Sequence, residues 1–189
     1  RPENERGMRK MSLSIRTKTI ATRYELGGDA ARSVVMLSHS LGSGMSMWDE
    51  QLAALHSGFR VLRYDTRGHG GSEVPPAPYR LDELVEDAVA LLDALEIPNV
   101  HFVGLSMGGM IGQGLALSHP HRLLSLCLCS TAAVMPELAQ PAIQERIDTA
   151  RSEGMQGLVE GTLARWFTPG FLRKHASGVE RIRRQFLAT

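Results

Sequence analysis

The sequence predicts an α/β protein built on a doubly wound, mostly parallel sheet, and three observations carry that prediction. Short apolar runs recur, such as Val34-Val35-Met36-Leu37 and Val100-His101-Phe102-Val103, with the length and branching of strands buried on both faces. Stretches of helical periodicity separate the runs, and parallel neighbours in a sheet need such crossovers. A chain of 189 residues with 43% apolar content suits one domain with a sizeable core and is short for two.

Residues 14–25 alternate apolar and β-branched side chains and run into Gly27-Gly28-Asp29, the pattern of an opening hairpin. The run at 34–37 ends in Ser38-His39-Ser40-Leu41-Gly42, a strand followed by a small-residue loop, and residues 48–55 form a short helix. Residues 59–64 repeat the buried-strand pattern and lead into Asp65-Thr66-Arg67-Gly68-His69-Gly70-Gly71-Ser72. From Leu81, apolar residues at Leu84, Val85, Ala88, Leu91, Leu92 and Leu95 make one stripe of a helix that Pro98 stops. A strand at 100–103, a helix reaching about His119 and a strand at 123–129 complete the alternation. Beyond Pro136 the strands cease, and residues from Ala142 onward read as helices interrupted by glycines. The expected organisation is a tail at 1–12, the sheet-bearing part at 13–135 and a helical cap at 136–189.

Twenty-one Lys and Arg against twenty Asp and Glu leave a net charge of +1, which gives no basic field for nucleic acid. Residues 1–10 are charged and lack an apolar segment, so they read as neither secretory signal nor membrane anchor, and the expected location is cytoplasmic. The two cysteines, Cys127 and Cys129, share one face of a strand and are expected to be reduced core thiols.

Gly104-Leu105-Ser106-Met107-Gly108 carries the chemistry. It matches Gly-x-Ser-x-Gly, with the strand before it and the helix after it that a nucleophile elbow requires. A serine there sits on a sharp, strained turn that pushes its hydroxyl outward, and the glycines admit close approach of strand and helix. The Met107 N–H, at the amino end of the helix, faces the same spot and favours developing negative charge. A second such donor is expected from the loop after the first parallel strand, and Leu41 N–H is assigned to it. His39 is expected to anchor that loop. The Asp, Arg and His of residues 65–70 are expected to satisfy loop backbone and neighbouring loops, not to act as acid and base.

With these motifs placed, the sequence resembles the α/β-hydrolase superfamily over nearly its whole length. His39-Ser40-Leu41-Gly42, Met47-Trp48, 63–70, Leu105-Ser106-Met107-Gly108-Gly109 and Arg165-Trp166-Phe167-Thr168-Pro169 are similar to the 3-oxoadipate enol-lactonases, which open an enol-lactone ring in bacterial breakdown of aromatic compounds through the β-ketoadipate pathway. The resemblance implies an acyl-enzyme on Ser106, a histidine base, an oxyanion held by the Leu41 and Met107 N–H groups, and neither metal nor organic cofactor. It implies a small-molecule lactone or ester substrate. Because such a substrate carries carboxylates, Arg146, Arg151 and Arg165 are candidate cations, with Trp48 and Trp166 as candidate substrate-facing aromatics.

In this fold the triad runs serine, acid, histidine, with the last two on loops after late strands. Here the late histidines are His119 and His121 at a helix end and His175 in the cap, and none follows a late strand. The chain is therefore expected to lack the carboxy-terminal part of the fold. Its candidate protein partners are a further copy, as a homo-oligomer, and a C-terminal fragment of the same protein. Competing readings are a broad carboxylesterase or perhydrolase and, in a different class, a ligand-binding or signalling homologue without turnover.

Overall fold

A computed structural model describes residues 13–189. The tail expected at 1–12 lies outside the described residues. β1 (Leu13–Arg16) and β2 (Ala21–Gly27) pair antiparallel, and Thr17 closes their turn by donating its N–H and its hydroxyl to the Ile20 carbonyl. Gly27-Gly28 ends β2 and does not make the hairpin turn. β3 (Val34–Ser38), β4 (Arg60–Tyr64), β5 (Val100–Leu105) and β6 (Leu123–Cys129) run parallel to one another, in the sheet order β1-β2-β4-β3-β5-β6.

The apolar runs are continuous because both faces of the central strands are covered. Val34 and Met36 of β3 pack with Phe102 beneath α2 (Leu81–Ala94) and α3 (Met107–Ser118), while Val35 and Leu37 face Trp48 and Leu52 on the other side. Leu84, Val85, Ala88, Leu91 and Leu92 of the anticipated stripe are buried there. The short helix expected at 48–55 is instead a 3₁₀ segment, Met45–Gln51, followed by one turn of α1 (Leu52–Leu55). Its first residues are tied to the neighbouring strand end, since Met45 N–H donates to Asp65 Oδ1 (2.8 Å) and Met45 O accepts from Arg63 (3.1 Å), which favours the tighter winding.

α4 (Gln140–Trp166), α5 (Pro169–Lys174) and α6 (Ala176–Leu187) follow the sheet. Gly154, at φ 66° and ψ −160°, breaks α4 into two arms, a backbone state that a side chain would resist. The second arm and α6 share an apolar cluster of Val159, Leu163, Val179 and Phe186. No described helix is long and apolar enough to cross a membrane.

One expectation is corrected. Cys127 and Cys129 do share a face, with their sulfurs 3.8 Å apart, but Cys127 is exposed and Cys129 only half-buried. Among the described residues β6 pairs with β5 alone, and Leu124 and Leu128 are exposed as well. Among the described residues neither thiol belongs to an apolar core cluster.

Candidate active site

The Ser106 backbone sits at φ 53° and ψ −112°, between the end of β5 and the first residue of α3. A non-glycine residue at positive φ is strained, and here hydrogen bonds on both sides hold it: Ser106 N–H donates to Cys129 O (2.9 Å), while Ser106 O accepts from the Thr131 hydroxyl (2.8 Å) and Met110 N–H (3.0 Å). Gly104 and Gly108 are required by contact. A Cβ on Gly104 would strike the Gly108 carbonyl, and one on Gly108 would lie 2.6 Å from the Ser38 carbonyl carbon and 2.9 Å from His39 O. α3 thus presses backbone to backbone against the end of β3, which brings its amino end beside the 39–43 loop.

That loop is held from below by two buried histidines. His39 Nδ1 donates to Ser40 O (2.9 Å) and its Nε2 accepts from Thr66 N–H (3.0 Å); His69 Nε2 accepts from Gly42 N–H (3.2 Å) and its Nδ1 donates to Arg67 O (3.0 Å). Both must be neutral to accept. Burial, with the neighbouring His69, lowers the His39 pKa to about 4, and burial lowers that of His69 as well. With the loop so fixed, Leu41 N–H and Met107 N–H have no acceptor among the described residues, and these are the two groups expected to receive an oxyanion. The Leu41 side chain is turned outward, 52% exposed.

Asp65 and Arg67 behave as loop-satisfying residues. Asp65 accepts from Met45 N–H and Gly71 N–H, and Arg67 makes a two-point contact with Asp87 (2.6 and 2.9 Å) and a third to Glu83 (2.9 Å). No side chain among the described residues hydrogen-bonds the Ser106 hydroxyl.

The expected substrate contacts divide. Trp48 is 7% exposed in the core cluster, and its indole N–H has no acceptor among the described residues. The Trp166 ring packs edge-on against Phe186 (6.0 Å), which in turn covers Gly42, where an added Cβ would meet the Phe186 ring at 2.6 Å. Arg146 and Arg165 line one cavity between the arms of α4, whereas Arg151 lies outside it, 76% exposed and beside Asp148. Phe186, Thr131 and the link from His69 to Gly42 were not read from the sequence. Only the position of Thr131 just past the end of β6, level with the elbow, hinted at its part.

The match to the model of the alpha/beta hydrolase fold covers residues 33–188. The chain belongs to the α/β-hydrolase fold family. It is 41% identical over 169 residues to 3-oxoadipate enol-lactonase 2 of Acinetobacter baylyi, a match spanning 89% of this chain and 62% of that protein. It is 36% identical to a putative carbamate hydrolase, RutD, of Caulobacter segnis, across 72% of this chain and 52% of the relative. Among solved structures, the enol-lactonase of Burkholderia xenovorans LB400 superposes with a TM-score of 0.87 at 40% identity, covering 94% of this chain and 68% of that one. The chain therefore spans between half and two-thirds of the length of these curated relatives.

Proposed function

We propose that the protein is a carboxylic-ester hydrolase that opens an enol lactone of the 3-oxoadipate type through an acyl-enzyme on Ser106, serving the breakdown of aromatic compounds in the cytoplasm. The observation that carries the reading is the strained Ser106 beside two backbone N–H groups without acceptors. The similarity to two named enol-lactonases supplies the substrate class.

In the first step Ser106 Oγ bonds to the lactone carbonyl carbon and its proton passes to a base, while Leu41 and Met107 N–H groups hold the oxyanion. The ring C–O bond then breaks and the departing enol oxygen takes the proton. Water attacks the acyl ester and gives a proton to the base, which passes it to Oγ as the C–Oγ bond breaks, and the acid product leaves with Ser106 restored. This sequence needs a histidine and an acid beyond the groups that the described residues place at Ser106. Residues 136–189 act as the cap over residues 13–135, with Trp166 facing the substrate.

The test is ring opening of the enol lactone by the protein as isolated, with the intact mass of the same preparation measured under denaturing conditions. Turnover abolished by Ser106→Ala supports the reading. Turnover that survives Ser106→Ala, enol lactone handled no better than simple activated esters, or an inert preparation containing only the 20.7 kDa chain overturns it. A second reading, carbamate hydrolysis by the same serine and donors, rests on the similarity to RutD. Faster turnover of a carbamate than of the lactone would favour it.

A further inference from the structure

Ser106 and Met107 share one peptide unit, with the Ser106 carbonyl at one end and the Met107 N–H at the other. That carbonyl accepts twice, from Met110 N–H (3.0 Å) and from the Thr131 hydroxyl (2.8 Å). The first bond is the one that any helix start makes, and nothing in α3 requires the second. Leu41 N–H belongs likewise to the peptide whose oxygen is Ser40 O. That oxygen accepts from Ser43 N–H (3.2 Å), from the Ser43 hydroxyl (2.8 Å) and from His39 Nδ1 (2.9 Å). Both candidate oxyanion donors therefore have a side-chain hydroxyl bonded to the far end of their own peptide.

Thr131 reaches its place along a constrained path. Ser106 N–H donates to Cys129 O (2.9 Å), which fixes the end of β6 against the elbow, and Ser130 then stands at φ 43°. A non-glycine residue persists in that region only where its surroundings hold it. The Thr131 side chain lies over Gly109, where an added Cβ would stand 2.6 Å from the Thr131 Cβ and 2.8 Å from its Oγ1. Gly109 thus makes room for Thr131, a different task from the strand-to-helix approach that Gly104 and Gly108 allow. Among the described residues the Thr131 hydroxyl proton has no other acceptor than Ser106 O.

We propose that Thr131 and Ser43 are positioning residues whose hydroxyls fix and polarise the two peptides that donate Met107 N–H and Leu41 N–H to the oxyanion. This rests on the hydrolase reading above. A hydrogen bond donated to an amide oxygen draws electron density from the nitrogen, and linked bonds strengthen one another by roughly 10–30% each. The N–H groups then carry more positive charge in a fixed direction before substrate arrives, which is what stabilising an oxyanion without reorganisation requires.

The experiment reads the peptide directly and then the rate. Labelling with carbonyl-13C serine and amide-15N methionine marks only the two Ser-Met peptides of the chain, Ser46-Met47 and Ser106-Met107, and Ser106→Ala assigns the second by removing it. Thr131→Val keeps the shape of the side chain over Gly109 and deletes the donor. In that variant the Ser106 carbonyl carbon and the Met107 amide proton are expected to move upfield, while the Ser46-Met47 signal stays in place. Thr131→Ser, which retains the hydroxyl, is expected to leave both signals near their original positions. Losing a whole oxyanion donor costs about 10²–10³ in rate, and 10–30% of that on the logarithmic scale is a fall of about 2- to 8-fold. That fall is expected in kcat for Thr131→Val and for Ser43→Ala, with KM unchanged and with recovery in Thr131→Ser.

A role in packing alone gives the reverse order, with Thr131→Val like the unsubstituted protein and Thr131→Ser impaired, and overturns the proposal. So do Ser106-Met107 signals that are unmoved in Thr131→Val or displaced equally in Thr131→Ser, and a kcat indifferent to loss of either hydroxyl in a protein that turns over. Signals that move as expected in a preparation without turnover support the polarised peptide and sink only the hydrolase reading.

Discussion

Replacing Asp87 with Ala removes the partner that closes the loop beneath the site. Arg67 and Asp87 have side chains only 7% and 4% exposed, and the pair is joined by two charge-assisted hydrogen bonds of 2.6 and 2.9 Å. These contacts hold the Arg67 pKa above its ordinary value, and the guanidinium also lies 5.6 Å from the Tyr79 ring centroid. Breaking a buried pair from one side typically costs about 3–5 kcal/mol because a charge is left without its partner. Glu83 still reaches Arg67 in the variant, from a position 41% exposed, so the lower end applies, about 3 kcal/mol. That is a roughly 150-fold change in the folded-to-unfolded ratio. Urea unfolding followed by circular dichroism measures it, with the slope expected to stay constant. The paired change Arg67→Met with Asp87→Leu should recover most of the loss, since neither charge then remains buried alone. An Asp87→Ala variant within about 1 kcal/mol of the unsubstituted protein, or a double variant that loses the sum of the singles, would refute the reasoning.

The remaining predictions concern the loop, the elbow and the helix above them. His39 and His69 are neutral acceptors in the fold and have pKa values below 6.5, so the unfolded chain binds more protons between the two values. Their contribution to stability is complete above about pH 6.5 and declines as pH falls toward 4; urea midpoints across that range should show the slope, and His39→Gln should flatten it. Gly108→Ala forces a methyl group against the Ser38 and His39 carbonyls, which cannot swing aside; a loss of about 2 kcal/mol or more is expected, and an unchanged unfolding midpoint would mean that α3 is not seated as described. Phe186→Ala empties a site that is 2% exposed and should cost about 3–5 kcal/mol in the helical cluster. Hydrogen exchange should speed up in α6 and at Gly42 together, and exchange raised in α6 alone would deny the contact between them.

The strand and helix sequence was legible because each central strand is buried on both faces and so appears as an unbroken apolar run, while α2 carries its stripe at helical spacing. The elbow was legible for a different reason. Close backbone approach at Gly104 and Gly108 and an outward Ser106 can be met by few residue types, so the chemistry of the turn is written in its letters.

By itself, then, the sequence determined the α/β alternation and the place of Ser106 on a strand-to-helix turn, since each depends on neighbours a few residues away. Only the tertiary structure decided that His69 fixes Gly42, that Phe186 covers the loop from a helix far along the chain, and that of three similar arginines two converge on one cavity while the third pairs with Asp148. Those facts depend on how distant segments pack and where α4 bends at Gly154, and no local pattern of residues records either.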